Sequence, residues 1–361
     1  MSLAELDPTS RLLVETVLRH GPISRAAMTR RTGLSSGSLT RVTAPLVGAG
    51  ILKEGASRRA RVGRPALPLE AVDSAARFVG VKVVPGRLYA VLAGLCGVVH
   101  GSAVEDADTS SVESTAAAIA GLLDQRAGTW TPEALGVSIA GAVDPFGTVR
   151  AARLLGWSGG NITGAVTTAT GLSCAAANDV DALTLAEHWF GRGRGAHNFV
   201  VLTVGVGVGA GAVVEDRLLL GHQGSAGMLG AAWASDGRRF REMLATEPLL
   251  ERACAAAGRP LTEADLRGDD PVVGGVLDEA AEALGELVGL AKLAWGPERV
   301  LITGDGIAPF VPRLPAIQRG LERHRYYDIE PPEVQMGDTL DFLSWARGGA
   351  ALAIRASLQL R

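Results

Sequence analysis

Five residues in one short stretch carry side chains suited to nucleic acid. Ser35, Ser36, Ser38, Thr40 and Arg41 lie within LSSGSLTR (34–41), and short hydroxyls beside a guanidinium match base edges and phosphates. Arg59 and Arg64 follow, in a cluster with Arg58 and Arg61. Arg64 sits in Gly63-Arg64-Pro65, an extended backbone from which arginine can enter a minor groove, or simply a linker. Farther on, Asn178-Asp179 is a polar pair closing the apolar run SCAAA. Contact with a ligand and capping of the following VDALTLAEHWF both fit it. Phe199–Gly211 alternates glycine at 205, 207, 209 and 211 with Val or Ala, the period of a strand with one bare face. That face admits a ligand, or belongs to a Gly-rich hairpin that binds nothing. It is not a dinucleotide fingerprint, which must open a helix, whereas VVEDRLLLG reads as a strand and a turn. His188, His197 and His222 lack metal-ligand spacing, and no Ser stands in a G-x-S-x-G context. Arg192 and Arg194, in GRGRGAH, read as a solvated turn, with contact to a partner as the alternative.

The elements that must position the first group are legible around it. Residues 9–20 have Leu12, Leu13, Thr16 and Val17 at helical spacing and stop at Gly21-Pro22. Ser24 caps a second helix, RAAMTRRT, that ends at Gly33. A third helix begins at 34–36, with Leu39, Val42, Leu46 and Val47 on one face and the polar group on the other. Pro45 bends this helix or lies near its end, so base reading belongs to the first two turns. Gly50-Ile51-Leu52 then enters a strand whose hairpin tip holds the arginines. Three helices and a basic hairpin form a winged helix-turn-helix; a generic three-helix packing module is the plainer alternative.

Charge agrees with that placement. Residues 1–70 hold 11 Lys and Arg against 5 Asp and Glu, a net of +6, and the remainder 24 against 33, a net of −9. A basic end on an acidic body points to nucleic acid at that end, although a solvated basic face also produces it. The length of 361 residues suggests two or three domains. Cys96, Cys174 and Cys254 are far apart, which argues against disulfides and zinc and fits a cytoplasmic protein. No export signal begins the chain, and the uncharged run Phe199–Val214 is too short to span a membrane.

From Phe78 the chain turns rich in Ala, Gly and Val. Strands at FVGVKVV, RLYAVLAGL and GVVHGSAV precede a helix near 111–126, a strand at 135–140 and the strand-helix pair around 178. A Gly-rich loop (221–230), helices near 240–257 and 276–295, a strand at 299–303 and a last helix near 342–358 follow the central hairpin. Two successive β-β-β-α-β-α blocks predict a two-lobed α/β body with a cleft between the lobes.

With SRAAMTRRTGLSSGSLTRV and the later GRP, then GVSIAGAVDPFGTV (136–149), LLGW (154–157), ANDVDALTLAEHWFG (177–191), LTVGVGVGAG (202–211), GHQGSAG (221–227) and LITGDG (301–306), the chain resembles the ROK family of bacterial repressors and sugar kinases. The resemblance covers nearly the whole chain and is to the repressor branch. It implies a winged helix-turn-helix at 1–70, then an actin-like (ribonuclease H-like) two-lobed α/β body. The first lobe would span 71–182, with 342–361 packing back on it, and the second 183–341.

Departures from the family pattern decide what that body could do. Family kinases carry an Asp in D-x-G-G-T for the ATP phosphates and magnesium. Here VKVVPGR places Lys82 at that Asp and Val84-Pro85 at two glycines, and proline offers neither the free N–H nor the freedom of a phosphate cradle. The family zinc motif, a His and C-x-C-G-x-x-G-C, is replaced by GMLGAAWASDGRRFREML, with Ala231 at the His. In the family sugar site, Arg153 stands for an Asn and Met228 for a Glu, while Asn178 and Asp179 are kept. The resemblance therefore implies a regulator without enzymatic activity, cofactor or metal. Its partners would be double-stranded operator DNA, a sugar or anionic sugar derivative at Gly141, Arg153, Asn178 and Asp179, and a second copy in a homodimer or dimer of dimers. An Arg153–Asp179 pair closing an empty site is the alternative at that position, as are an active sugar kinase and a ligand-free body for the chain as a whole.

Overall fold

Helix caps lay out the N-terminal head. In the computed structural model, which describes residues 3–56 and 67–359, Asp7 accepts from the Thr9 and Ser10 amides and starts α1 (Pro8–His20). Ser24 accepts from the Ala27 amide and starts α2 (Arg25–Thr32). Gly33 ends α2 at φ 72°, a left-handed conformation that costs glycine little. Ser35 then caps α3 (Ser36–Gly48). Pro45 falls in the last turn of α3, where the helix is already ending. Leu39, Thr43 and Leu46 form its buried stripe; Val42 and Val47, expected there, are half-buried. Strands β1 (Leu52–Glu54) and β2 (Leu69–Ala71) pair antiparallel. Arg58, Arg59, Arg61 and Arg64 lie outside the described residues.

The first unit contains the head, the first lobe and the C-terminal helix Phe342–Ser357. Its sheet joins β3 (Arg77–Val84), β4 (Arg87–Gly94) and β5 (Val99–Asp106), all antiparallel, to further strands. After α4 (Val112–Asp124) comes β6 (Ala134–Ile139), parallel to β3. A small hairpin, β7 (Ala142–Val143) with β8 (Val149–Ala151), and α5 (Ile162–Thr170) lead to β9 (Ser173–Asn178), parallel to β6. The next helix, α6 (Asp179–Phe190), packs against the C-terminal helix. That helix lies directly on the sheet because the sheet is bare under it. A Cβ at Gly136 would sit 1.8 Å from the Gly349 carbonyl oxygen, and one at Gly80 would sit 2.0 Å from that of Ala346.

The second unit, Ala196–Asp341, repeats the scheme. Its strands β10 (Phe199–Val204), β11 (Val208–Val214) and β12 (Arg217–Leu218) run antiparallel. Helices α7 (Phe240–Leu244), α8 (Thr246–Ala257) and α9 (Pro271–Trp295) follow. Strand β13 (Arg299–Gly304) then pairs parallel with β10, and after α10 (Leu314–Glu322) β14 (Glu333–Thr339) pairs parallel with β13. Buried Val200, Leu202, Leu284 and Ile302 hold its core. The boundary between the lobes falls at Ala196, not at residue 183, because α6 packs on the C-terminal helix and so belongs to the first unit. Helices α5 and α10 and strand β14 have no counterpart in the sequence reading. β14 is too weakly apolar to stand out: Val334 and Met336 are its only large apolar residues, and all seven positions are half-buried or exposed.

Candidate functional site

Helix α3 presents the polar group as its capping and packing dictate. With Leu39, Thr43 and Leu46 turned inward, Ser36, Thr40 and Arg41 are exposed, as is the cap residue Ser35. Ser38 is half-buried, and its amide and hydroxyl are tied to the Ser35 hydroxyl at 3.2 and 3.0 Å. The Thr40 hydroxyl donates to the Ser36 carbonyl at 3.0 Å, leaving its lone pairs outward. Arg30 and Arg31, exposed in the last turn of α2, add charge beside the turn into α3. They were legible as helix residues, but only the packing of α2 against α3 puts them next to the same face.

In the first lobe, Gly141, Asn178 and Asp179 come together and are bonded within the chain. The Asn178 amide nitrogen donates to the Gly141 carbonyl at 2.9 Å, while its oxygen accepts from the amides of Val180 at 2.8 Å and Asp181 at 3.4 Å. Asp179 accepts from the Val180 amide at 2.9 Å with one oxygen and forms an ion pair with Lys82 through the other. Lys82 is 3% exposed and Asp179 9%. Strand periodicity explains the reach: Lys82 projects from β3 on the same side as Gly80, toward the C-terminal helix, and its ammonium lies 5.5 Å from the centre of the Trp345 ring. Arg153 does not join them. It is exposed on the turn Arg153–Leu155, so the Arg153–Asp179 pair left open by the sequence is replaced by Lys82–Asp179.

Also in the first turn of α6, Asp181 is 3% exposed. Burial, then the neighbouring Asp179 charge, push its carboxyl up to about 8, against the opposing pull of Arg355. An acid with a raised folded-state pKa holds its proton longer in the native state. Stability is therefore fully present below the ordinary value of 3.8 and drains away as pH climbs toward 8. The Asp181→Asn protein should lose this slope. Its melting temperature at pH 8.5 should exceed that of the parent by several degrees, at about 2–4 °C per kcal/mol. Equal pH dependence of melting in the two proteins would refute the assignment.

In the second lobe, Gly205 and Gly207 make the turn between β10 and β11, while Gly209 and Gly211 pair with Thr203 and Val201. A Cβ at Gly205 would meet the Asp305 carboxylate at 1.6 Å, so at this position the bare face is filled by the chain itself. A cavity of about 440 Å³ opens on the other side, lined by Gly207, Met228, Ala231, Arg241 and Glu247 among others. It collects the two positions at which the family pattern has Glu and His. The residues present do not fit zinc: 228–245 contain neither Cys nor His, and no metal-holding cluster of His, Cys, Asp or Glu occurs among the described residues. Carboxylates hold this segment in its place. Ser235 donates to buried Glu286 on α9 from its amide at 3.0 Å and its hydroxyl at 2.7 Å, and Arg323 reaches the same carboxylate at 2.9 Å. Arg238 pairs with Asp236 and Glu279. Lys82, the residue that the resemblance sets at the acid of the family kinases, is buried and paired with Asp179. Among the described residues no helix is long and apolar enough to cross a membrane.

A three-helix head followed by an α/β body in two similar units is the architecture of this chain. The chain belongs to the ROK family, whose model matches residues 97–354. It is 22% identical to the DNA-binding transcriptional dual regulator NagC of Escherichia coli K12, over 94% of this chain and 90% of that one. A solved ROK family transcriptional regulator, a homolog of the E. coli MLC protein, superposes with a TM-score of 0.76 at 22% identity, covering 98% of this chain and 97% of the other. The ROK hexokinase of Thermus thermophilus superposes with a TM-score of 0.65 at 24% identity, but over 77% of this chain and 97% of its own. The fold shared with the hexokinase leaves part of this chain unmatched; the fold shared with the regulator extends over nearly all of it.

Proposed function

We propose that this chain is a cytoplasmic, sugar-responsive transcriptional repressor. Its head is a winged helix-turn-helix that places Ser35, Ser36, Ser38, Thr40 and Arg41 in the major groove, with Arg59 and Arg64 on the backbone or minor groove. The observation that carries this reading is the exposed polar face of α3, held outward by buried Leu39, Thr43 and Leu46. The chain acts as a homodimer or dimer of dimers, since two half-sites about 34–36 Å apart call for two recognition helices. The similarity to NagC of Escherichia coli, a DNA-binding transcriptional regulator, supports DNA as the target.

The body senses rather than catalyses. A general base must be free to take a hydroxyl proton, and Asp179 is already paired to Lys82. Purified protein should therefore release no sugar-dependent ADP; turnover above a no-protein control would establish the kinase reading instead. The effector is a sugar or an anionic derivative at Gly141, Asn178 and Asp179, to which Arg153, exposed and outside their hydrogen-bonded cluster, would offer a planar fork for phosphate or carboxylate. A ligand-free body is the second reading, favoured by the internal bonding of Asn178 and Asp179. Calorimetry with glucose and glucose 6-phosphate separates the two: the effector reading expects the phosphate to bind more tightly, and Arg153→Asn to abolish the preference. Absence of heat with every free and phosphorylated sugar would leave the ligand-free body.

A further inference from the structure

Helix α6 begins at the Asn178-Asp179 pair and runs to the DNA-binding head. Its first turn is held by the Lys82–Asp179 ion pair and by the Asn178 cap. Its flank lies on the C-terminal helix so closely that a Cβ at Gly348 would sit 2.8 Å from the Ala182 carbonyl carbon. Helix α1 of the head packs on α6. Beyond the end of α6, Arg194 donates to the Leu18 carbonyl near the end of α1 at 3.0 Å, so it is not simply a solvated turn residue. Charges line the same contact: Arg355 on the C-terminal helix feels both Glu15 on α1 and Asp181 on α6, and Arg19 pairs with Glu15 at 3.0 Å. Gln359, just past the C-terminal helix, bonds Arg11 of α1. A cavity of about 190 Å³, lined by Val17, Leu18, Phe190 and Arg194 among others, is left at the junction, beside these polar contacts and the buried apolar residues of α1.

We infer that Lys82 is a positioning residue for DNA binding: by holding Asp179 it fixes the first turn of the helix on which the head is seated. The inference rests on the reading of the head as the DNA-binding end. Lys82 touches neither the head nor DNA, and acts through α6.

The test is amide hydrogen exchange on the full chain, read by peptide, together with affinity for a duplex selected from random DNA. In Lys82→Met, exchange in the first turn of α6 and in α1 should rise about tenfold more than in α4, which belongs to the same unit but packs on α5. Affinity for the selected duplex should fall about tenfold. Lys82→Arg, which retains the charge, should restore both. Should Lys82→Met fail to fold, Lys82→Met/Asp179→Leu removes both charges and carries the same comparison of α1 with α4. Parallel changes in α1 and α4, or an unchanged α1, would overturn the inference. If the parent itself retains no selected duplex, the DNA reading fails, and the exchange pattern still decides whether Lys82 holds the seat.

Discussion

Alanine at Ser36, Ser38, Thr40 and Arg41 together is expected to reduce operator binding to the non-specific level. A well-made contact to a base edge is worth about 1–3 kcal/mol, so losing two or three lowers affinity by about a thousandfold or more. The fold should survive. The cap residue Ser35 and the buried stripe of Leu39, Thr43 and Leu46 are untouched, and alanine is a better helix former than the serines it replaces. Arg41→Ala alone is a finer probe. Loss of one phosphate contact weakens binding to all sequences and flattens the salt slope by about one unit. Retention of a selected duplex by the quadruple variant, with parent-like affinity and salt dependence, would remove α3 from the interface.

Replacing Lys82 by Met is expected to destabilise the first unit by about 3–5 kcal/mol, because it leaves the Asp179 carboxylate buried without a counter-charge. Asp181, the next acid on α6, makes the region worse for an uncompensated anion. At about 2–4 °C per kcal/mol, the melting temperature should fall by roughly 10 °C. Adding Asp179→Leu should recover most of that loss, since a buried ion pair exchanged for apolar groups is often neutral in stability. The comparison isolates the pair from the strand: were Lys82 needed only for packing in β3, the second substitution would recover nothing. Equal melting temperatures for the parent and Lys82→Met would show that the pair carries no stability.

What the sequence by itself determined is mostly local. Asp7, Ser24, Gly33 and Ser35 mark the helix ends of the head, because caps act over three or four residues. Strands β3, β10 and β13 are visible as short, nearly continuous apolar runs, the mark of strands buried on both faces. The missing zinc cysteines and the presence of Lys82 in place of an acid are likewise plain in the string of residues. Tertiary structure alone decided which partner each group takes. Lys82 reaches Asp179 across 97 positions, Glu286 takes Ser235 across 51, and Arg194 finds the Leu18 carbonyl across 176. No periodicity encodes such pairs. They depend on the order of β3, β6 and β9 in the sheet, and on glycines that let the C-terminal helix lie against it and α6. For the same reason α6 looked like the start of the second lobe. Its sequence shows a helix after a strand, but which surfaces that helix buries is fixed only when Phe342–Ser357 returns to cover it.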